Sequence, residues 1–98
     1  LAALGARAAI AGFMGEDEAG RQLRGLLKER GVKPVAMPGT GMTIIKTRVI
    51  LQSQQLCRLD RESPPSAYRV DARTAARRLS REIAASDAVI FSDYAKGL

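Results

Sequence analysis

Between positions 43 and 62 the chain reads TIIKTRVILQSQQLCRLDRE, and this stretch restricts the possible folds more than any other. It holds two short β-branched and aliphatic runs, 43–51 and 54–60. Lys46, Arg48, Gln54, Gln55, Arg58 and Asp60 are interleaved there with Ile44, Ile45, Val49, Ile50, Leu56 and Leu59. Such runs predict two strands, and Gln52-Ser53 between them predicts the turn of a hairpin. A two-stranded ribbon carrying this much charge is not core. Side chains alternate along a strand, so Lys46 and Arg48 share a face that Thr47, Val49 and Leu51 do not. A two-residue turn sets Arg48 opposite Cys57 and Arg58 opposite Thr47, which leaves Arg58 on the face away from Lys46 and Arg48. The face with the two cations suits an anion.

The rest of the chain alternates between strand-like and helix-like patterns around this ribbon. Residues 8–11 read as a short buried strand, with Gly12 and Gly15 in the turn after it. Asp17 is the expected N-cap of a helix running to about 30, with Glu16 and Glu18 at its positive end and Gly31 at its close. Ala19, Leu23, Leu26 and Leu27 fall on one helical face. Residues 32–37 form a second short strand, in which Pro34 favours an edge position. Pro38-Gly39-Thr40-Gly41 is a flexible turn into the ribbon, and Ser63-Pro64-Pro65-Ser66 is a linker out of it. Asp71 then caps a helix to about 85 with an apolar stripe of Ala72, Ala75, Ala76, Leu79 and Ile83. Arg73, Arg77, Arg78 and Arg81 form its solvated face. The apolar run 88–91 predicts a buried parallel strand. This order predicts a layered α/β sheet with an inserted β lid.

Ninety-eight residues suffice for one small domain. Both ends read as cut, so the expectation is a segment of a longer α/β protein, with open sheet edges that would prevent it from folding alone. The net charge of +6 comes mainly from twelve Arg against four Lys, which favours anionic partners such as sugar phosphates, nucleotides or nucleic acid. With no His and the single Cys57, a zinc site of the usual kind and a Ser-His-Asp or Cys-His catalytic arrangement are excluded within this stretch. One cysteine and no membrane-length apolar run predict a reducing, cytoplasmic setting without membrane contact. The first turn, GFMGEDEAG, lacks the lysine of a P-loop, and its acidic residues would repel an anion.

Ligands of open parallel sheets gather at the carboxyl ends of strands, and after 88–91 the chain turns polar with Ser92, Asp93, Tyr94 and Lys96. Asp93 can accept hydrogen bonds from sugar hydroxyls, and Lys96 can neutralise a phosphate. In the ribbon, Arg48 and Arg58 can each grip a phosphate with two parallel bonds, and Lys46 adds charge. Gln54 and Gln55 both donate and accept, which suits hydroxyls that differ only in stereochemistry.

Three motifs in order, GFMGEDEAG at 12–20, KTRVI followed by QQLCRLDRE in the ribbon, and FSDYAKGL at 91–98, resemble the heptose 7-phosphate kinase branch of the ribokinase-like sugar kinases. The resemblance covers essentially the whole chain. It implies a partial ribokinase-like domain over 1–98: a layered α/β/α sheet, a β-ribbon lid at 43–60, and a helix and strand of the core at 71–98. It also implies transfer of the ATP γ-phosphoryl to the anomeric hydroxyl of D-glycero-β-D-manno-heptose 7-phosphate, with Mg²⁺. The substrate contacts would be Lys46, Arg48, Gln54, Gln55, Arg58, Asp93 and Lys96, and the lid would form a homodimer, which the exposed Ile44, Val49, Ile50 and Leu56 would suit. The family's GAGD-type catalytic turn does not occur here, so no catalytic residue and little of the ATP site is expected, and the segment alone should not catalyse. Cys57 stands where the family more often has an aliphatic residue. Three other readings stay open: another ribokinase-like kinase, a purely dimerising ribbon, and a basic nucleic-acid-binding module. The last predicts aromatics among the cations, and the ribbon has none.

Overall fold

The computed structural model describes residues 1–92. After a 3-10 turn at Ala2–Leu4, the chain runs through β1 (Ala8–Phe13), α1 (Glu18–Glu29) and β2 (Val32–Met37). The ribbon follows as β3 (Ile45–Leu51) and β4 (Gln54–Arg61), then a second 3-10 turn at Pro65–Tyr68 and α2 (Ala72–Ala84). The protein is thus a small α/β unit with two separate two-stranded sheets, β1 beside β2 and β3 beside β4.

The first half is a β–α–β unit. β1 and β2 are parallel, in register from Ala8 with Val32 to Phe13 with Met37, and α1 joins them. Asp17 caps α1 by accepting the Gly20 N–H at 2.9 Å, and Gly31 just past the helix takes a positive φ of 65° that only glycine adopts cheaply. Pro34 pairs with Ile10 in a sheet of two strands, where the missing donor is tolerated. Both α1 and α2 pack on β2. Asp71 caps α2 by accepting from the Thr74 N–H, and the Lys33–Glu82 ion pair at 2.6 Å and an Arg78 bond to the Ala36 carbonyl tie α2 to β2. Arg78 is therefore not simply part of a solvated face.

Several expectations need correction. β1 extends through Gly12 to Phe13, so Gly12 lies in the strand and not in the turn, and three of its six residues, Ala9, Ile10 and Ala11, are exposed while none is buried. Residues 88–91 form no strand: Val89, Ile90 and Phe91 are exposed, because an apolar run becomes a parallel strand only where a neighbouring strand offers its edge, and among the described residues none does. Ser63-Pro64-Pro65-Ser66 is no loose linker either. It leads into the 3-10 turn that carries Tyr68, one of the few buried apolar side chains, with Met14 and Met37. Tyr68 meets Phe13 edge to face at a centroid distance of 5.1 Å, so the small core sits at the carboxyl ends of β1 and β2.

The ribbon's turn is at Gln52-Ser53, and both residues have positive φ, as a type I′ hairpin requires. Its register differs from the one expected. Leu51 pairs with Gln54 and Ile50 with Gln55, but Val49 then pairs with Cys57, Arg48 with Arg58 and Lys46 with Asp60. Leu56 is the extra residue of a β-bulge, and one extra residue moves everything beyond it to the opposite face. Arg58 consequently shares the face of Lys46 and Arg48.

Candidate functional site

The carboxyl ends of two parallel strands are where a backbone leaves donors and acceptors unpaired, and here they open into a cleft of about 440 Å³. Phe13, Met14, Gly15 and Glu16 after β1 form one side, and Ala36 to Gly41 at the end of β2 form another. α2 contributes Arg78, whose Nη1 donates to the Ala36 carbonyl at 3.1 Å and which is the cleft's one cation among the described residues. Gly39 and Gly41 are required by close packing. A Cβ at Gly39 would lie 2.6 Å from the Phe13 ring, and one at Gly41 would run into the Tyr68 ring. The cleft wall thus combines the backbone of Gly15, Gly39 and Gly41 with the apolar side chains of Phe13, Met14, Met37 and Pro38 and the polar ones of Glu16, Thr40 and Arg78.

The acidic turn beside the cleft is occupied by a second set of bonds. Thr43 Oγ1 accepts the Gly15 N–H at 3.0 Å and donates to Asp17 Oδ1 at 2.6 Å, while the Thr43 N–H donates to Asp17 Oδ2 at 2.9 Å. With the Gly20 N–H, the Asp17 carboxylate accepts three hydrogen bonds. The Thr43 hydroxyl first, then the Gly20 and Thr43 amides and the charge of Arg61, lower its pKa from 3.8 to about 2. Such a carboxylate holds structure together and is a poor proton acceptor for chemistry.

On the ribbon, the bulged register gathers Lys46, Arg48, Arg58, Asp60 and Gln55 on one face, with Gln54 on the other. Asp60 accepts from Lys46 Nζ at 2.8 Å and pairs with Arg58 Nε at 3.0 Å, and Lys46 also lies 3.7 Å from Glu62. The Lys46 hydrogen bond, with the charge of Arg58, lowers the Asp60 pKa. Arg48 makes no ion pair among the described residues, although it stands directly across from Arg58. Two cations in a cross-strand pair repel, and an anion between them would relieve that repulsion. Arg48 is thus the ribbon cation most available to a phosphate.

The five described candidates, Lys46, Arg48, Gln54, Gln55 and Arg58, all lie on the ribbon, and none lines the cleft. Asp93 and Lys96 lie outside the described residues. Thr43, Tyr68 and Arg78 were missed by reading the sequence. Thr43 sits at the start of a β-branched run and looks like strand, Arg78 is one of four arginines on a helix, and only Tyr68, a lone aromatic after Ser-Pro-Pro-Ser, carried a local signal. Among the described residues no group of three or more Asp, Glu or Cys side chains gathers that could hold a metal ion. No helix among the described residues is long and apolar enough to cross a membrane. Phe13 and Tyr68 are packed against each other and do not form a surface for stacking bases.

No protein-family model matches the chain. The D-beta-D-heptose 7-phosphate kinase of Bordetella bronchiseptica is 38% identical to it over 99 residues, which takes in 100% of this chain and 31% of that protein. The bifunctional protein HldE of Gluconacetobacter diazotrophicus is 42% identical over 96 residues, 96% of this chain and 20% of that protein. The HldE of Sulfurimonas denitrificans is 37% identical over 100 residues, 100% of this chain and 21% of that protein. The chain spans between about a fifth and a third of the curated relatives it matches. The resemblance carried by its three motifs therefore holds along its whole length.

Proposed function

We propose that this chain, similar from end to end to one segment of the heptose 7-phosphate kinases, is the sugar-phosphate-binding part of such an enzyme. The complete protein would transfer the γ-phosphoryl of ATP to the anomeric hydroxyl of D-glycero-β-D-manno-heptose 7-phosphate. The products would be ADP and heptose 1,7-bisphosphate, a step toward ADP-heptose and the lipopolysaccharide core. The whole-length similarity carries this reading. The exposed cationic ribbon face supports it, since Arg48 makes no ion pair among the described residues beside Arg58.

In this reading the segment is a partial ribokinase-like domain over 1–98, a layered α/β/α sheet whose lid is the ribbon at 43–60 and whose core helix lies in 71–98, with 88–91 joining the sheet only where the complete protein offers a strand edge. Arg48 and Arg58 bind the substrate phosphate, with Lys46 adding charge from its bond to Asp60. Gln55 on the same face, and Gln54 across the turn, contact hydroxyls. Asp93 and Lys96 extend the site. Phosphoryl transfer needs an in-line acceptor, a base and donors to the transferred group, and the residues that provide these in the family's catalytic turn have no counterpart in this sequence. ATP and Mg²⁺ belong to the complete enzyme, with their main sites outside this segment. The exposed Ile50, Leu51, Leu56 and Leu59 suit a ribbon-to-ribbon homodimer, and the setting is cytoplasmic.

The test is ADP release by the complete protein with Mg-ATP and a panel of heptose 7-phosphate, fructose 6-phosphate and ribose. Turnover confined to heptose 7-phosphate is the expected result. Turnover on another sugar keeps the kinase and discards the lipopolysaccharide role, and no turnover on any overturns the reading.

A further inference from the structure

Every residue of β4 is exposed, and so is every residue of β3 except Ile45. The ribbon therefore rests on very little of the described protein, and its pose is fixed where it joins the rest. The entry join ends on Gly15 of the cleft wall, and the exit join on Tyr68, which packs against the wall residues Phe13 and Gly41. At the entry, Thr43 is tied to Gly15 and Asp17 by three hydrogen bonds of 2.6–3.0 Å. At the exit, the Ser63 N–H donates to Tyr68 Oη at 2.6 Å, and Ser63 Oγ accepts the Met42 N–H at 3.0 Å. The Tyr68 hydroxyl in turn donates to the Met42 carbonyl at 3.0 Å, which binds entry and exit to each other. The packing leaves no slack, since a Cβ on Gly15 would lie 2.8 Å from the Thr43 nitrogen.

We propose that Asp17 and Thr43 are positioning residues that clasp the root of the ribbon to the cleft wall and so fix the spacing between the cleft and the cationic ribbon face. The same Gly15 whose backbone lines the cleft donates its N–H to Thr43. A displacement of either partner is felt by the other. Two of the three bonds that Asp17 accepts, both from Thr43, serve the join, and the third, from the Gly20 N–H, caps α1. Its second duty, capping α1, is separable: Thr43→Val deletes the clasp hydroxyl and leaves the cap bond to Gly20 intact, and Thr43→Ser keeps the hydroxyl. Where the clasp affects a sugar phosphate, the inference rests on the function proposed above; the clasp itself does not.

The deciding experiment places one spin label on the exposed Cys57 of the ribbon and another on α2 through Arg77→Cys, in the complete protein with its other cysteines replaced. A single narrow distance distribution is expected for the parent and for Thr43→Ser, and a broad one for Thr43→Val and Asp17→Asn. The same two broadened variants should raise the KM for heptose 7-phosphate about tenfold or more, the loss expected for a charged hydrogen bond, with the KM for ATP changed less than about twofold. An unchanged distance distribution in Thr43→Val overturns the proposal. So does loss of cooperative unfolding in Thr43→Val with recovery in Thr43→Ser, which would make the clasp a general fold element. If no sugar phosphate is turned over, the kinase reading fails, and the distances still decide the clasp.

Discussion

Glycine to alanine in a helix ordinarily stabilises, by up to about 1 kcal/mol. At Gly20, the third residue of α1, the opposite sign is expected. A Cβ there would collide with the Gly15 carbonyl oxygen and would lie 2.9 Å from Thr43 Oγ1 and 3.0 Å from the Gly15 carbonyl carbon. Two of the three struck atoms are Gly15 backbone and the third is the Thr43 hydroxyl held by hydrogen bonds to Gly15 and Asp17, so the cost belongs at the upper end of the 1–3 kcal/mol range, about 3 kcal/mol, for overpacking. Displacing Gly15 also lengthens its N–H bond to Thr43, worth about 1 kcal/mol. Against these, the helix gain returns about 1 kcal/mol. The net is a destabilisation of about 3 kcal/mol. Gly25 in the same helix provides the control, because its Cβ would meet nothing within 4 Å; Gly25→Ala should stabilise by about 1 kcal/mol. Urea unfolding of the complete protein measures both, with an unchanged m-value showing that the midpoints report stability. Equal shifts in the same direction, or a Gly20→Ala protein as stable as the parent, would refute the reasoning.

Two other outcomes follow from the charges. Arg48→Ala should weaken heptose 7-phosphate binding about tenfold to a hundredfold, whereas Arg77→Ala on the exposed side of α2 should change it less than about twofold; calorimetric titration decides, and equal small effects at both would remove the phosphate role from the ribbon. Asp17 has a folded pKa of about 2, below its ordinary 3.8, so in that window the unfolded chain holds more protons than the folded one. Its contribution to stability is therefore complete above about pH 4 and is lost as the pH falls toward about 2. Glu18, Asp60 and Asp71 are lowered in the same direction and add to the trend. Urea midpoints against pH should fall less steeply in Asp17→Asn than in the parent, and identical slopes would show that the carboxylate has no such role.

What the sequence determines by itself here is what short-range physics encodes. Asp17 and Asp71 cap their helices because each carboxylate reaches an amide three residues on. The hairpin turn falls at Gln52-Ser53 because the alternating runs on either side leave only those two residues to form it. Alternation likewise put Lys46 and Arg48 on one face, and the ordered motifs pointed to the kinase family before any coordinates. Tertiary structure decided the rest. The bulge at Leu56 sets Asp60 across from Lys46, a pairing made between two strands and invisible along either one. The clasp joins residues 26 positions apart, so no periodicity announces it. Whether 88–91 is a strand depends on a neighbouring edge and not on its own apolar side chains. Arg78 and Arg77 are adjacent and chemically identical, and only the packing of α2 on β2 brings the first to the Ala36 carbonyl and the cleft.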